Sequence, residues 1–445
     1  MQNLVWRRFI SGALLLLLAI IPACAQPETA DKVDNPQLAK SIYDQTVARL
    51  RRQDLLSPEE NGFASLAPLC KSKDWDAKGK NLAPYRALSA YFMKEPEEHL
   101  QAFRSNPAQA ARDVALFESI VPKLQQANSK KRFEYVFDWK TGGLNSGSPP
   151  HPVYPFLRVL AQGLRTAGLY YEFKGDPDKA AQRCLLGLEL TNKWGKTGPL
   201  ANRGVSAAYQ GYNALPLLHL LGDAGFPATH YRHILKKTES FPATPADVLD
   251  GFDESYLAGI RFFDDLQSGK LSVQQLVDAY SAVSITLSDS QLQFLRKPGH
   301  FALEKTLFQN VYLSRRAYFE KLESVPNSLL KTQEAKLADK HCFLAQEQSP
   351  TPVCRVFKNS QTHLSAIRVM AALQAYHAEK KVYPAKLQDL LPGYLKQLPK
   401  NYMSPDGAFR YAQKGKSFKL ESLSDVYPGL SLQKTMSYHP LSFKY

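Results

Sequence analysis

Apolar residues recur at three- and four-residue intervals through most of this chain, the spacing of amphipathic helices rather than of strands. After Asn35-Pro36 the positions Ala39, Ile42, Tyr43, Val47 and Leu50 follow that rule, so a helix is expected there. Ser57-Pro58-Glu59-Glu60 carries the signals of a second start, a proline for the first helical position and acids for the positive end of the dipole. A third element is expected from Asn106-Pro107 through Val114, Phe117, Ile120 and Val121. Residues 141–150 hold three Gly and two Pro and read as a loop.

Beyond that loop the pattern predicts two helices in tandem. Phe156, Leu157, Leu160, Leu164, Ala167, Tyr170 and Tyr171 line the first, and Ala180, Ala181, Cys184, Leu185 and Leu188 the second. Between them Gly175, Asp176 and Pro177 supply a terminating glycine, a capping aspartate and a first-position proline, which together enforce a tight antiparallel turn. Further helices are expected from Thr244-Pro245 to Leu266, from Ser272 with Gln275 closing a capping box, from His300 to Leu322 and from about Asn327 to Lys340.

The style changes after residue 354. One helix carrying Leu364, Ile367, Met370, Ala371, Leu373 and Tyr376 gives way to the turns Tyr383-Pro384, Leu391-Pro392, Leu398-Pro399 and Ser404-Pro405-Asp406-Gly407. Ser417 to Glu421 then alternates apolar with polar, which predicts a strand and a hairpin across Ala412 to Lys416. The expected fold is mainly α: an irregular stack of helical hairpins with a small C-terminal α+β module. Its divisions are a leader at 1–25, a helical domain at 26–340 with a subdivision at the 141–150 loop, a linker at 341–361 and a module at 362–445.

Two resemblances attach to these segments. Gly175-Asp176, Ala180 and Leu188-Glu189-Leu190 make the hairpin at about 155–194 resemble one tetratricopeptide unit, although the next comparable turn, at Gly222 to Pro227, lies 47 residues on and not 34. That implies stacked hairpins and not a repeat array. The order of helix, Tyr383-Pro384 turn, Leu-rich segment, Pro405-Asp406-Gly407 turn and two strands over about 362–425 is similar to the globular part of type II secretion pseudopilins. In that family a hydrophobic assembly helix stands directly before the module, whereas here the hydrophobic run lies over 300 residues upstream. Asp406 and Asp425 also stand among lysines, not in the acid cluster of a calcium-binding member, so the resemblance implies fold and not pilus assembly.

Composition adds a compartment. Apolar residues are 44% of the 445 and charged residues 22%, an ordinary balance that predicts a folded chain. Arg7-Arg8, the apolar run Ser11 to Ile21 and Ala23-Cys24-Ala25 form the three parts of a signal peptide, and the run is too short to span a bilayer. Export to the periplasm or the medium is therefore expected, with no membrane span in the mature chain. Cleavage before Gln26 and acylation of Cys24 at a lipobox-like Ile21-Pro22-Ala23-Cys24 remain alternatives, the second giving an outer-membrane lipoprotein. After cleavage before Gln26, Cys70, Cys184, Cys342 and Cys354 are left, and Cys342 with Cys354 is the candidate disulfide.

Net charge is +15, and it is uneven: residues 355–445 hold fourteen Lys or Arg against five Asp or Glu. A basic terminal module on an exported chain suits an anionic membrane or wall polymer, with Lys380, Lys381, Lys396, Lys400, Arg410, Lys414, Lys416 and Lys419 as candidate contacts. A solubilising lysine-rich surface is the alternative.

Catalytic signatures are missing. Ser328-Leu329-Leu330-Lys331, Lys140-Thr141-Gly142 and Lys196-Thr197-Gly198 match fragments used by penicillin-binding enzymes but in the reverse chain order. His230 and His233 share a helical face without an identifiable third ligand, and His219 sits among leucines as a core histidine. No metal site, cofactor or specific nucleic-acid partner is read. The expectation is a non-catalytic envelope protein whose helical body binds a protein partner; the alternative is an exported hydrolase using carboxylates around Asp250 and Asp253 near a helix start.

Overall fold

A computed structural model describes residues 34–53, 57, 59–71, 88, 91, 96–130, 132–133, 153–223, 225–241, 245–275, 293, 300–319, 350–404, 406–422 and 442–444. The fold is mainly α. Its helices are α1 (Pro36–Gln53), α2 (Gly62–Lys71), α3 (Pro96–Ser105), α4 (Pro107–Glu118), α5 (Val121–Ser129), α6 (Val153–Phe173), α7 (Pro177–Trp194), α8 (Leu200–Asp223), α9 (Ala228–Thr238), α10 (Pro245–Gln267), α11 (His300–Phe319) and α12 (Pro350–Lys380). A short 3-10 turn (Leu387–Leu390) and the strands β1 (Arg410–Lys414), β2 (Ser417–Glu421) and β3 (Ser442–Lys444) complete it.

Several starts and turns form where the sequence places them. Asn35 and Asn106 cap α1 and α4, their side chains accepting from Leu38 N at 3.0 Å and Gln109 N at 3.2 Å. Between α6 and α7, Gly175 takes φ of +72° and Asp176 accepts from Lys179 N at 3.0 Å, so the two helices return antiparallel. Ser272 and Gln275 exchange both bonds of a capping box, at 2.8 and 3.1 Å. At the C-terminal end β1 and β2 pair with Lys414 opposite Ser417, Gly415 turning at φ of +59°, and β2 buries Phe418 and Leu420 on one face. On its other edge β2 pairs with β3, Leu420 lying opposite Phe443.

Other boundaries differ from expectation. The acids Glu59 and Glu60 form a turn rather than a first helical turn, because Asn61 bridges Arg132 and its own side chain caps Phe63 N at 3.0 Å, starting α2 at Gly62. The segment expected to run unbroken through Val121 divides at Ser119-Ile120, where Pro122 can sit only in the first turn of α5. Residues 350–361 of the expected linker are the start of α12. Pro350 and Pro352 both fall in its first turn, where a missing N–H breaks no helical bond. The leader with Cys24, the 141–150 loop, the 327–340 helix and Cys342 lie outside the described residues.

Three apolar clusters meet on α7 and α8. One joins α2 to α7 through Leu66, Phe103, Phe117, Leu164 and Trp194. A second joins α1, α8, α10 and α11 through Ile42, Phe252, Tyr256, Phe263 and Phe308. The third runs from α7, α8 and α9 into α12 and the sheet without a break, through Leu188, Leu217, Ile234, Met370 and Phe418. The helix of the C-terminal module is thus also a core helix of the body, so residues 362–422 do not bury their apolar surface alone. Among the described residues no helix is long and apolar enough to cross a membrane.

Candidate functional site

The acids of α10 provide the first candidate chemistry. Asp247, Asp250 and Glu254 lie three and four residues apart, hence on one helical face. Arg49 of α1 meets that face, its Nη1 lying 3.0 Å from Asp250 Oδ2 and 2.8 Å from Glu254 Oε1. From α8 the fully buried Arg203 donates Nη2 to the same Glu254 oxygen at 3.2 Å and Nε to Gly198 O at 2.8 Å, and its Nη1 donates to Asp247 O. Space for this guanidinium exists because residue 251 is glycine: a Cβ there would stand 2.3 Å from Arg203 Cδ and Nε. Burial raises the Glu254 carboxyl, with Arg203 and Arg49 opposing it, and burial lowers Arg203.

Asp253 belongs to a separate network. It accepts from Arg316 of α11 at both oxygens, 2.9 and 3.2 Å, and from the Tyr312 hydroxyl. Burial, then the Asp253 charge, holds Tyr312 well above the usual phenol range. The carboxylates expected around Asp250 and Asp253 therefore divide between arginines of different helices. Asp250, Asp253 and Glu254 are each matched to an arginine, an arrangement that ties α1, α8, α10 and α11 together.

A second polar region lies inside the helical body. Ser360 Oγ of α12 lies 2.5 Å from Gln210 Oε1 of α8, and Gln210 reaches Asn192 of α7 at 3.5 Å. One turn on, His363 is buried against Gly211, its Nδ1 has no hydrogen-bond partner among the described residues, and burial pushes its imidazole down to about 4. Sequence reasoning missed this seam. Ser360-Gln361 falls at the end of the expected linker and Thr362-His363 at the start of the expected module, and neither pair shows in sequence its partners on α8.

Other singled-out residues are structural in their surroundings. His219 is half-buried and holds Glu172 at 2.6 Å, while His230 and His233 are exposed on α9, His230 lying 3.0 Å from Asp178. In Lys196-Thr197-Gly198 the carbonyls of Thr197 and Gly198 accept from Asn202 and Arg203 at the start of α8. Cys184 is a free, buried thiol under Gly168. Cys354 lies in the second turn of α12, with its proposed partner Cys342 outside the described residues. Among the described residues no group of three His, Cys, Asp or Glu is placed to hold a metal ion.

The basic candidates fall in three places. Lys380 and Lys381 end α12, both exposed, and Lys396 is exposed beyond the 3-10 turn. Lys400 and Arg410 flank the 404–407 turn, where Lys400 Nζ lies 5.3 Å from the Tyr402 ring centroid and Arg410 meets Asp406 at 2.5 Å. Hydrogen bonds from Ser404, Ala408 N and Arg410, with the Arg410 charge, hold Asp406 down to about 2. Lys414 and Lys416 border Gly415 at the hairpin end, and Lys419 on β2 meets Glu421 at 2.5 Å. Arg410 and Lys419 are thus matched within the module. Lys380, Lys381, Lys396 and Lys416 form no salt bridge among the described residues. Comparison of the sequence with protein-family models, with curated proteins and with solved structures finds no match.

Proposed function

We propose that this chain is an exported, non-catalytic envelope protein whose helical body binds a protein partner and whose basic C-terminal surface contacts an anionic neighbour. The observation that carries this reading is the charge distribution: fourteen Lys or Arg against five Asp or Glu over residues 355–445. Exposed lysines at Lys380, Lys381, Lys396 and Lys416 support it. Arg410 and Lys419, which meet acids of their own module, contribute less. Asp250, Asp253 and Glu254 of α10 support the non-catalytic part, since Arg49 and Arg316 already meet them at hydrogen-bond distance. The likeness of residues 362–425 to the globular part of type II secretion pseudopilins rests on the sequence order of helix, turns and strands and enters this reading as a proposal of fold alone.

The test is co-sedimentation of the chain from residue 26 onward with phosphatidylglycerol vesicles and with purified wall polymer, over a salt series. Binding that falls as the Debye length shrinks from about 10 Å at 0.1 M toward about 3 Å at 1 M is expected. It should also fall in a variant carrying K380E, K381E, K396E and K416E. No binding to either material at low salt removes the surface contact.

A further inference from the structure

The turn that ends α12 combines three features whose coincidence calls for a cause. Lys381 holds φ of +62°, the one non-glycine residue in the left-handed region among the described residues, while its N–H caps the helix by donating to His377 O at 2.8 Å. Glycine is the usual residue at such a cap and avoids a strain of about 1 kcal/mol, so a lysine here keeps its charge at a conformational cost. Directly after it, Val382 is 56% exposed, the most open of the large apolar side chains described, the others being Leu38 at 43% and Leu116 at 39%.

Exposure of Val382 is built rather than frayed. The helix precedes it, and Tyr383 and Pro384 are buried after it. Tyr383 stacks on His377 with centroids 4.3 Å apart and donates its hydroxyl to Gln374 at 3.0 Å, and Tyr411 of β1 donates to Pro384 O at 2.7 Å. Both sides of the valine are therefore fixed. Glu379, the acid closest in sequence, is taken up by Arg232 at 2.9 and 3.2 Å and by Tyr394 at 2.7 Å. What the turn offers outward is an apolar point flanked by Lys380, Lys381 and the exposed Lys386.

We propose that this turn is a contact point for an anionic phospholipid bilayer, with Val382 entering the interface and the flanking ammonium groups meeting headgroup phosphates. The inference rests on the proposed surface contact and names its source. A hydrated wall polymer has no apolar layer for Val382 to enter, so the valine separates the two sources.

The experiment measures partitioning of the chain from residue 26 onward, which keeps every described residue and lacks the apolar leader, onto vesicles of mixed phosphatidylglycerol and phosphatidylcholine. K380Q/K381Q should weaken partitioning about fivefold per lysine. V382S should weaken it about threefold, and V382W should strengthen it. Circular dichroism of each variant should match the parent, since all three side chains are exposed. If V382S and V382W bind as the parent does, or if the parent binds wall polymer but not vesicles, the bilayer contact is overturned while the electrostatic reading stands. Absence of binding to both materials overturns both.

Discussion

Replacing Gly251 with alanine tests the buried arginine joint between α8 and α10. The new Cβ would stand 2.3 Å from both Cδ and Nε of Arg203, a side chain only 1% exposed and held by Gly198 O, Asp247 O and Glu254. Relief of that contact requires either that helix α10 shift outward or that the guanidinium leave its acceptors. Overpacking of this kind costs about 1–3 kcal/mol. Losing one cation from a buried carboxylate costs about 3–5 kcal/mol when no other partner remains, and less here because Arg49 stays on Glu254 at 2.8 Å. Alanine returns up to about 1 kcal/mol of helix propensity. A net loss of about 3 kcal/mol is expected, read as a lowered urea midpoint. Gly175→Ala is the control, since nothing lies within 4 Å of its Cβ position and only the positive φ costs, about 1 kcal/mol. In an Arg203→Ala background Gly251→Ala should cost nothing; a cost that persists there, or a G251A chain as stable as the parent, refutes the account of this joint.

Three further outcomes follow from the same geometry. His363 is held neutral, its pKa lowered by burial from 6.5 to about 4, so the unfolded chain binds the extra proton between those values. Stability is then full above pH 6.5 and falls by about 3 kcal/mol as pH drops to about 4; urea midpoints of H363Q that track the parent across this window contradict it. Burial raises the Cys184 thiol and shields it, so iodoacetamide should modify it only after denaturation, and mass-spectrometric detection of native-state labelling at Cys184 would speak against the packing. Asp176→Ala should cost about 1 kcal/mol by removing the acceptor for Lys179 N, an effect absent from the urea midpoint if the α6–α7 turn is held by other contacts alone.

What could be read in advance was local. Gly175, Asp176 and Pro177 each have one favoured place at a helix boundary, and Ser272 with Gln275 specifies its own pair of bonds, so these turns form as the sequence suggests. What could not be read depended on partners far along the chain. Asn61 starts α2 where it bridges Arg132, and Ser360 meets Gln210, 150 positions away, in a polar seam that breaks the hydrophobic period. Arg203 and Glu254 are 51 positions apart, and neither shows in sequence which charge it will meet. The basic module was legible as a count and not as a surface. Position alone could not show that Arg410 would turn to Asp406 and Lys419 to Glu421, leaving the α12 end and the hairpin tip to face outward.

Fractionation of the native host cell, with sequencing of the amino terminus of the recovered protein, bears most directly on the central proposal that this is an exported envelope protein. The account predicts an envelope fraction and a chain starting at Gln26 or at an acylated Cys24. A cytosolic protein starting at Met1 would contradict it.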